Sequence, residues 1–361
     1  MVDDLLNDDA AIAAYQFAEK RFGMLREPQY ERKIFKTLPL GVFQQTVSSW
    51  TGFGIGFIAA LIFTSCATVL RPDARLRETA GLVEEVKIFG RSLGIEPTPA
   101  LSRTTQNGPA LSMLWLWMQH IGTLAVHGPV DVRMAIGFDL ESERLKIEQV
   151  YRVDGYSVYY RQGNEFSDSR AVATVGFADE PIVRRVKVIL HEDLHGDANF
   201  ALPWEIEEGI VTPLGSLAAI EYFRYKSDEK NWKNAIASVS EERKVARELS
   251  VVVDEAEKIF AAENAEAAKQ KILAVMPSFP AYYRQFERQI RGQHASTVLE
   301  AKLSHDLAYY RYFDRIATLA EIAPNLKTLI NDLKQLPHDA TLATAEQFLR
   351  ELNSRYRSVP K

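Results

Sequence analysis

The stretch VRRVKVILHEDLHG, residues 183–196, decides the fold of this part of the chain. The apolar residues in it are spaced as in a helix with a largely buried face. Pro181 follows two acidic residues, which is typical of a helix start, and Gly196 stands where helices commonly end. We therefore predict a helix over 182–195. Its last turns contain the pattern His-Glu-x-x-His, and the i, i+4 spacing places His191 and His195 on one face.

Two histidines one helical turn apart can bind a single Zn²⁺. Glu192, next to the first of them, can reach a water on the metal and accept its proton. Zinc lowers the pKa of such a water to about 7, so that hydroxide forms at neutral pH. We predict Zn²⁺ as the cofactor and Glu192 as the general base, which later passes the proton to the leaving amine. A coincidental pair of surface histidines is the alternative.

A catalytic zinc usually has three protein ligands, so a third ligand is expected nearby. Pro203 and Trp204 predict the start of a second helix, which carries three acidic residues, Glu205, Glu207 and Glu208. Three acidic residues before Gly-Ile-Val suit core packing poorly, whereas one of them facing a cation would explain the pattern. The alternative is a solvated acidic turn that the helix dipole favours.

The order His-Glu-x-x-His, then Leu-Pro-x-x-x-x-Glu-Gly and an aliphatic residue, resembles the gluzincin metallopeptidases. In that family a glutamate on a downstream helix is the third zinc ligand. The resemblance implies a zincin-like helical metallopeptidase core in which His191, His195 and Glu208 bind zinc. It places Glu207 directly before the ligand, and Glu205 in solvent or beside the site.

Residues 172–181, VATVGFADEP, resemble a narrower group, the bacterial predicted-aminopeptidase family, whose members tend to begin with a lipoprotein cysteine. This resemblance implies an aminopeptidase-like activity. The chain departs from the family pattern at three places. Val172 stands where the family has tyrosine, Ile206-Glu207 where it has Phe-Asn, and Ser304-His305 where it has an Asn-Asn pair.

Zinc-assisted attack on a carbonyl creates an oxyanion, which needs a hydrogen-bond donor beside the metal. Candidate donors or substrate contacts are Tyr222, His305 and Tyr309, although tyrosines at such spacing also suit ordinary amphipathic packing. An aminopeptidase also needs acidic groups that hold the substrate amine, for which Glu165, Glu205 and Glu207 are candidates.

The composition limits the class of protein. The 361 residues include 47% hydrophobic and 25% charged residues, as globular proteins do. The net charge of −5 lacks the basic excess of nucleic-acid-binding proteins, so no nucleic-acid partner is expected. A single cysteine, Cys66, excludes a disulfide framework and a cysteine-rich metal site.

No charged residue occurs between Thr37 and Leu70. Residues 50–70 have the length of a membrane-spanning helix, and basic residues upstream favour a cytosolic N-terminus. The end of the run, FTSC, also resembles a bacterial lipobox, which would place a lipid on Cys66; a buried core helix is the third interpretation. We predict a cytosolic extension over 1–36 and a membrane anchor or lipoprotein-type signal over 37–70. The metallopeptidase domain, 71–361, is then membrane-associated and extracytoplasmic, in the bacterial periplasm or cell envelope.

Patterning over the rest of the chain favours a mainly α fold with a small β part, in the α+β class. We predict helices over 71–93, over 109–127 as a buried core helix, and over much of 297–357. Short strands are predicted within 131–161. Residues 229–273 are charged and alanine-rich, which predicts a helical arm on the body of the domain.

Together these patterns predict zinc-dependent hydrolysis of a peptide or small amide, and the family resemblance implies an aminopeptidase-like metallopeptidase. The alternative is a membrane-anchored protein without peptidase activity. Such a protein would bind metal only, or would act as a scaffold whose helical arm binds a partner.

Overall fold

The computed structural model describes residues 72–105, 113–136, 141–163 and 171–358. The predictions for the extension over 1–36, for the segment over 37–70, for Cys66 and for Glu165 lie outside these residues. Within the described ranges, no helix combines the length and the apolar character that crossing a bilayer requires.

The described part of the chain is mainly helical with a small sheet part, which confirms the predicted α+β class at this level. The helices are α1 (Pro72–Ser92), α2 (Glu141–Val153), α3 (Val175–Asp179), α4 (Ile182–Gly196), α5 (Trp204–Tyr225), α6 (Glu229–Ala262), α7 (Ala265–Val275), α8 (Pro280–Ile290), α9 (Ala295–Tyr310), α10 (Phe313–Ile322), α11 (Leu326–Leu333) and α12 (Leu342–Ser358). The strands are β1 (Arg103–Thr105), β2 (Met113–His120), β3 (Val132–Ile136), β4 (Tyr156–Gly163) and β5 (Val172–Thr174).

The strands form two small sheets. β1 pairs with β5 in parallel, and the short helix α3 connects β5 to the helix α4 that carries the histidines. β2 lies between β3 and β4 in an antiparallel sheet, in which Trp117 is opposite Arg133 on one side and Tyr159 on the other.

The predicted core helix over 109–127 is wrong, because this region contains strand β2. The strand is buried on both faces. Trp117 packs in one hydrophobic cluster with Trp204, whereas Leu116 and Met118 pack in another cluster on the opposite face. A strand covered on both sides is a continuous apolar run, which periodicity alone cannot distinguish from a buried helix. The prediction over 131–161 is correct for β3 and β4 but missed α2 between them.

Helix α5 is the centre of the fold, in contact with α4, α6, α9 and α10. It is apolar on all sides and therefore buried along most of its length. Gly215 allows α4 to approach closely: a Cβ atom there would lie 3.0 Å from the Cβ of His191 and 3.2 Å from the carbonyl oxygen of Lys187.

The predicted helical arm over 229–273 is a pair of helices, α6 and α7, packed against the body. Between its charged residues, apolar residues form a stripe that is buried against the body. Val245, Leu249 and Val252 of α6 are buried with Phe286 of α8 and Leu299 of α9.

The close approach of α4 and α5 predicts that Gly215→Ala destabilises the protein by about 1–3 kcal/mol, since an added methyl group in a tight contact forces a helix to shift. Gly81→Ala in α1 is the matched control, because an added Cβ at that position meets nothing within 4 Å. We expect the control to be neutral or to stabilise by up to about 1 kcal/mol. Urea unfolding of the three proteins measures both effects, and equal stability of the two variants would contradict the steric argument.

Candidate metal centre

Helices α4 and α5 bring His191, His195 and Glu208 together. The two histidines lie one turn apart on α4, and Glu208 lies in the second turn of α5. A metal ion can be held by three or more His, Cys, Asp or Glu side chains whose ligand atoms lie close together. Among the described residues, His191, His195 and Glu208 are the one group that meets this condition. The side chains of His191 and His195 are 15% and 13% exposed, so the group is mostly buried but still open to solvent.

The three ligand atoms form a nearly regular triangle. The Nε2 atoms of His191 and His195 are 3.0 Å apart, and Oε2 of Glu208 lies 3.6 Å and 3.4 Å from them. Ligands about 2.1 Å from a tetrahedral Zn²⁺ lie about 3.4 Å from one another. The triangle therefore has the dimensions of three zinc ligands, with the fourth position left for water or substrate.

Neighbouring groups hold two of these side chains in place. His195 Nδ1 lies 2.8 Å from Glu207 Oε1, so the Nδ1–H group donates to this carboxylate and Nε2 faces the centre of the triangle. The indole N–H of Trp204 donates to Glu208 Oε1 over 3.3 Å. The other oxygen, Glu208 Oε2, is buried and accepts no hydrogen bond within the described part of the chain. Since an unsatisfied buried carboxylate oxygen is costly, its position suits a bound cation.

The electrostatics of the triad also favour a cation. Burial, together with the neighbouring His195, lowers the pKa of His191 to about 3, so this imidazole is neutral and able to bind a metal. Burial alone would lower the pKa of His195, but the Glu208 and Glu207 carboxylates raise it well above the ordinary value. Burial would raise the pKa of Glu208, whereas the two histidines hold it well below its usual range.

Glu192, the predicted general base, is buried on α4 directly after His191. Burial raises the pKa of Tyr309 on α9, and the charges of Glu208 and Glu192 raise it further, so both carboxylates lie near this phenol. Tyr309 also contacts the Trp204 ring, with 6.0 Å between ring centroids. Tyr309 is thus beside the triad, as a substrate contact would need to be.

His305 lies next to Tyr309, with 4.9 Å between the ring centroids. Its Nδ1 is 2.9 Å from Asp306 Oδ1, and its buried Nε2 has no hydrogen-bond partner within the described ranges. Burial lowers the pKa of His305 to about 4, so the ring is neutral. Its edge also contacts the Trp117 ring at a centroid distance of 4.5 Å.

The structure places the other three candidates elsewhere or in different contacts. Tyr222 lies on α5 about 21 Å along the helix axis from Glu208, and its hydroxyl donates to Glu85 over 2.8 Å. Glu205 accepts a hydrogen bond from the backbone N–H of Val130 at 3.2 Å. Glu207, predicted as a possible substrate contact, is hydrogen-bonded to His195.

Sequence reasoning missed the partners of the two aspartates on either side of His195. Asp193 accepts from Lys87 Nζ at 2.6 Å and from the backbone N–H of Thr98 at 2.9 Å. Asp197, at the end of α4, forms an ion pair with Lys334 at 2.6 Å. No local signal identifies these partners, because they are about 100 residues or more away in the sequence.

The chain matches no protein-family model, no curated protein and no solved structure. The resemblance to gluzincins and to the predicted-aminopeptidase family therefore stays a prediction.

The contact between Glu207 and His195 predicts that Glu207→Gln weakens zinc binding about 10-fold or more, since the carboxylate orients the imidazole and makes it more basic. Glu205→Gln, two residues earlier on the same helix, should leave zinc affinity unchanged. Competition with a chromophoric chelator gives both affinities. Equal affinities of the two variants would contradict the role assigned to Glu207.

The raised pKa of His195 predicts proton release when zinc binds. At pH 6 the metal-free protein holds a proton on His195, and zinc requires the neutral imidazole. Binding should therefore release about one proton, and affinity should rise about tenfold per pH unit until the pKa of His195 is passed. Calorimetric titration in buffers of different ionisation enthalpy measures the proton number. Binding without proton release, and with equal affinity at pH 6 and 7, would rule out a protonated His195.

Proposed function

We propose that the protein is a zinc-dependent hydrolase of peptides or small amides, a metallopeptidase with a zincin-like core. The observation that carries the proposal is the triangle of His191, His195 and Glu208, with its zinc-like dimensions and the unsatisfied Glu208 oxygen. The buried Glu192 beside it supplies the second requirement for hydrolysis, a base. The aminopeptidase-like assignment is supported by the resemblance of residues 172–181 alone.

Each residue has a stated role in this proposal. Bound Zn²⁺ supplies a Lewis acid and an acidified water. Glu192 accepts the proton of the attacking water and delivers it to the nitrogen of the leaving amine, so that the proton balance closes. Tyr309 and His305 are the candidate donors to the carbonyl oxygen, supported by the contact of Tyr309 with Trp204 and of His305 with Tyr309. Burial raises the pKa of Tyr309, so its hydroxyl keeps the proton that it would donate.

The location of the enzyme belongs to the same proposal. A tether through residues 50–70, or through a lipid on Cys66, would hold the domain at the outer face of the cytoplasmic membrane or elsewhere in the bacterial cell envelope. The uncharged run between Thr37 and Leu70 supports this part of the proposal.

Two measurements on the purified full-length chain test the proposal. Elemental mass spectrometry should find about one zinc per chain, and His195→Ala should lose it, because a two-ligand site binds weakly. Glu192→Gln should keep the zinc but lower kcat on a peptide library by about 10²–10⁴, since it removes the base without removing a ligand. Glu351→Gln, at an exposed position of α12, is the control and should match the parent protein.

The outcomes separate the candidate functions. Zinc binding without hydrolysis of any peptide would favour the alternative of a metal-binding or scaffold protein. Hydrolysis that is unchanged in Glu192→Gln would refute the role of that carboxylate. Absence of zinc after incubation with the metal at neutral pH would overturn the proposal as a whole.

A further inference from the structure

Trp204, the first residue of α5, lies between the small sheet and the candidate metal centre. Its indole is buried in one hydrophobic cluster with Trp117 of the sheet. Glu208 follows four residues later, so the side chains of Trp204 and Glu208 are neighbours on one face of α5. The indole N–H donates to Glu208 Oε1 over 3.3 Å, and this hydrogen bond lies within a single helix.

Three other elements of the fold set the orientation of the Trp204 indole. The ring of Trp117 on β2 lies 6.4 Å from it, measured between ring centroids. The guanidinium carbon of Arg133 on β3 is 4.5 Å from its ring centre, and the Tyr309 ring on α9 is at 6.0 Å. A ring that is packed on several sides in a dense core has few rotamers open to it. The direction of the indole N–H is therefore fixed by the sheet and by α9.

The two oxygens of the Glu208 carboxylate have different surroundings. Oε2 lies 3.6 Å and 3.4 Å from the Nε2 atoms of His191 and His195, and it accepts no hydrogen bond within the described ranges. Oε1 is instead the acceptor of the indole N–H of Trp204. The carboxylate thus presents one oxygen to the centre of the triangle and the other to the indole.

This difference bears on how Glu208 can bind a metal. A carboxylate binds a cation through one oxygen or through both. Binding through both would turn Oε1 away from the indole and towards the metal. The N–H of Trp204, which is buried among other rings, would then have no acceptor, and a buried donor without an acceptor costs free energy. The hydrogen bond from Trp204 therefore favours binding through Oε2 alone.

We infer that Trp204 is a positioning residue that restricts Glu208 to one metal-bound oxygen and so keeps a coordination position open. A catalytic zinc has three protein ligands and leaves its fourth position to water or substrate. A second carboxylate oxygen on the metal would compete for that position. The inference rests on the metal-binding part of the proposed function, and it gives the sheet an indirect role at the metal centre.

Infrared difference spectra of the full-length chain, zinc-loaded minus metal-free, test the inference. The gap between the asymmetric and symmetric stretching bands of a carboxylate is wide when one oxygen binds the metal and narrow when both do. We expect a wide gap in the parent protein. The gap should narrow in Trp204→Phe, because a phenyl ring has no N–H group to hold Glu208 Oε1.

Trp117→Phe is the matched control. It deletes the same atoms from the same hydrophobic cluster, but Nε1 of Trp117 has no hydrogen-bond partner in the described part of the chain. This variant should keep the wide gap of the parent protein. Both variants should still hold about one zinc per chain at saturating metal, because all three ligands remain.

The outcomes separate the hydrogen bond from packing. If Trp204→Phe does not fold, Trp204→benzothienylalanine takes its place, since that ring keeps the shape of indole and has sulfur instead of N–H. A narrow gap in the parent protein, or the same gap in the Trp204 and Trp117 variants, overturns the inference while the metal site stands. Failure of the parent protein to bind zinc overturns the proposed function, and the inference with it.

Discussion

The contact between α4 and α5 is the constraint on which the candidate site depends. Glu208 lies within 3.4–3.6 Å of both histidine Nε2 atoms only because the two helices approach closely along their length. Gly215 makes this approach possible at His191, and Gly209 does the same on the other side of α5, where a Cβ would lie 2.8 Å from the ring of Tyr312. A larger residue at either position would separate the helix that carries the carboxylate from its neighbours.

Buried ion pairs hold the histidine helix along its length. Lys87 pairs with Asp193, and Lys334 pairs with Asp197. Lys187, one turn before His191, pairs with Glu242 of the helical arm. Charges that are removed from water are tolerated when they are paired and hydrogen-bonded, and breaking such a pair is strongly destabilising. These contacts therefore fix α4 against α1, α11 and α6, which gives the imidazoles a rigid support.

Local patterns predicted the part of the molecule whose contacts are local. The helix α4, the start of α5 and the histidine pair follow from spacing over residues 181–209, since i, i+4 geometry depends on a single helix. Glu208 was selected among three acidic residues only by the resemblance to gluzincins. The strand β2 and the arginines of the sheet did not follow, because the partners of Trp117 and Arg133 come from distant segments. The hydrogen bond between His195 and Glu207 could not be predicted from a sequence pattern, because it depends on the distance between two helices.

The candidate site has two parts that differ in how far apart their contacting residues lie along the sequence. These two parts are therefore expected to form at different rates. The three candidate ligands lie within residues 191–208, so the chain closes a short loop to bring them together. The contact between Trp117 and His305 joins segments nearly 200 residues apart, and contacts of such separation form slowly. A nascent chain therefore has all three ligands soon after α5 is made. The contact between Trp117 and His305 forms only after α9 is made, so the ring contacts beside the candidate site are completed later in synthesis than the candidate ligand set itself.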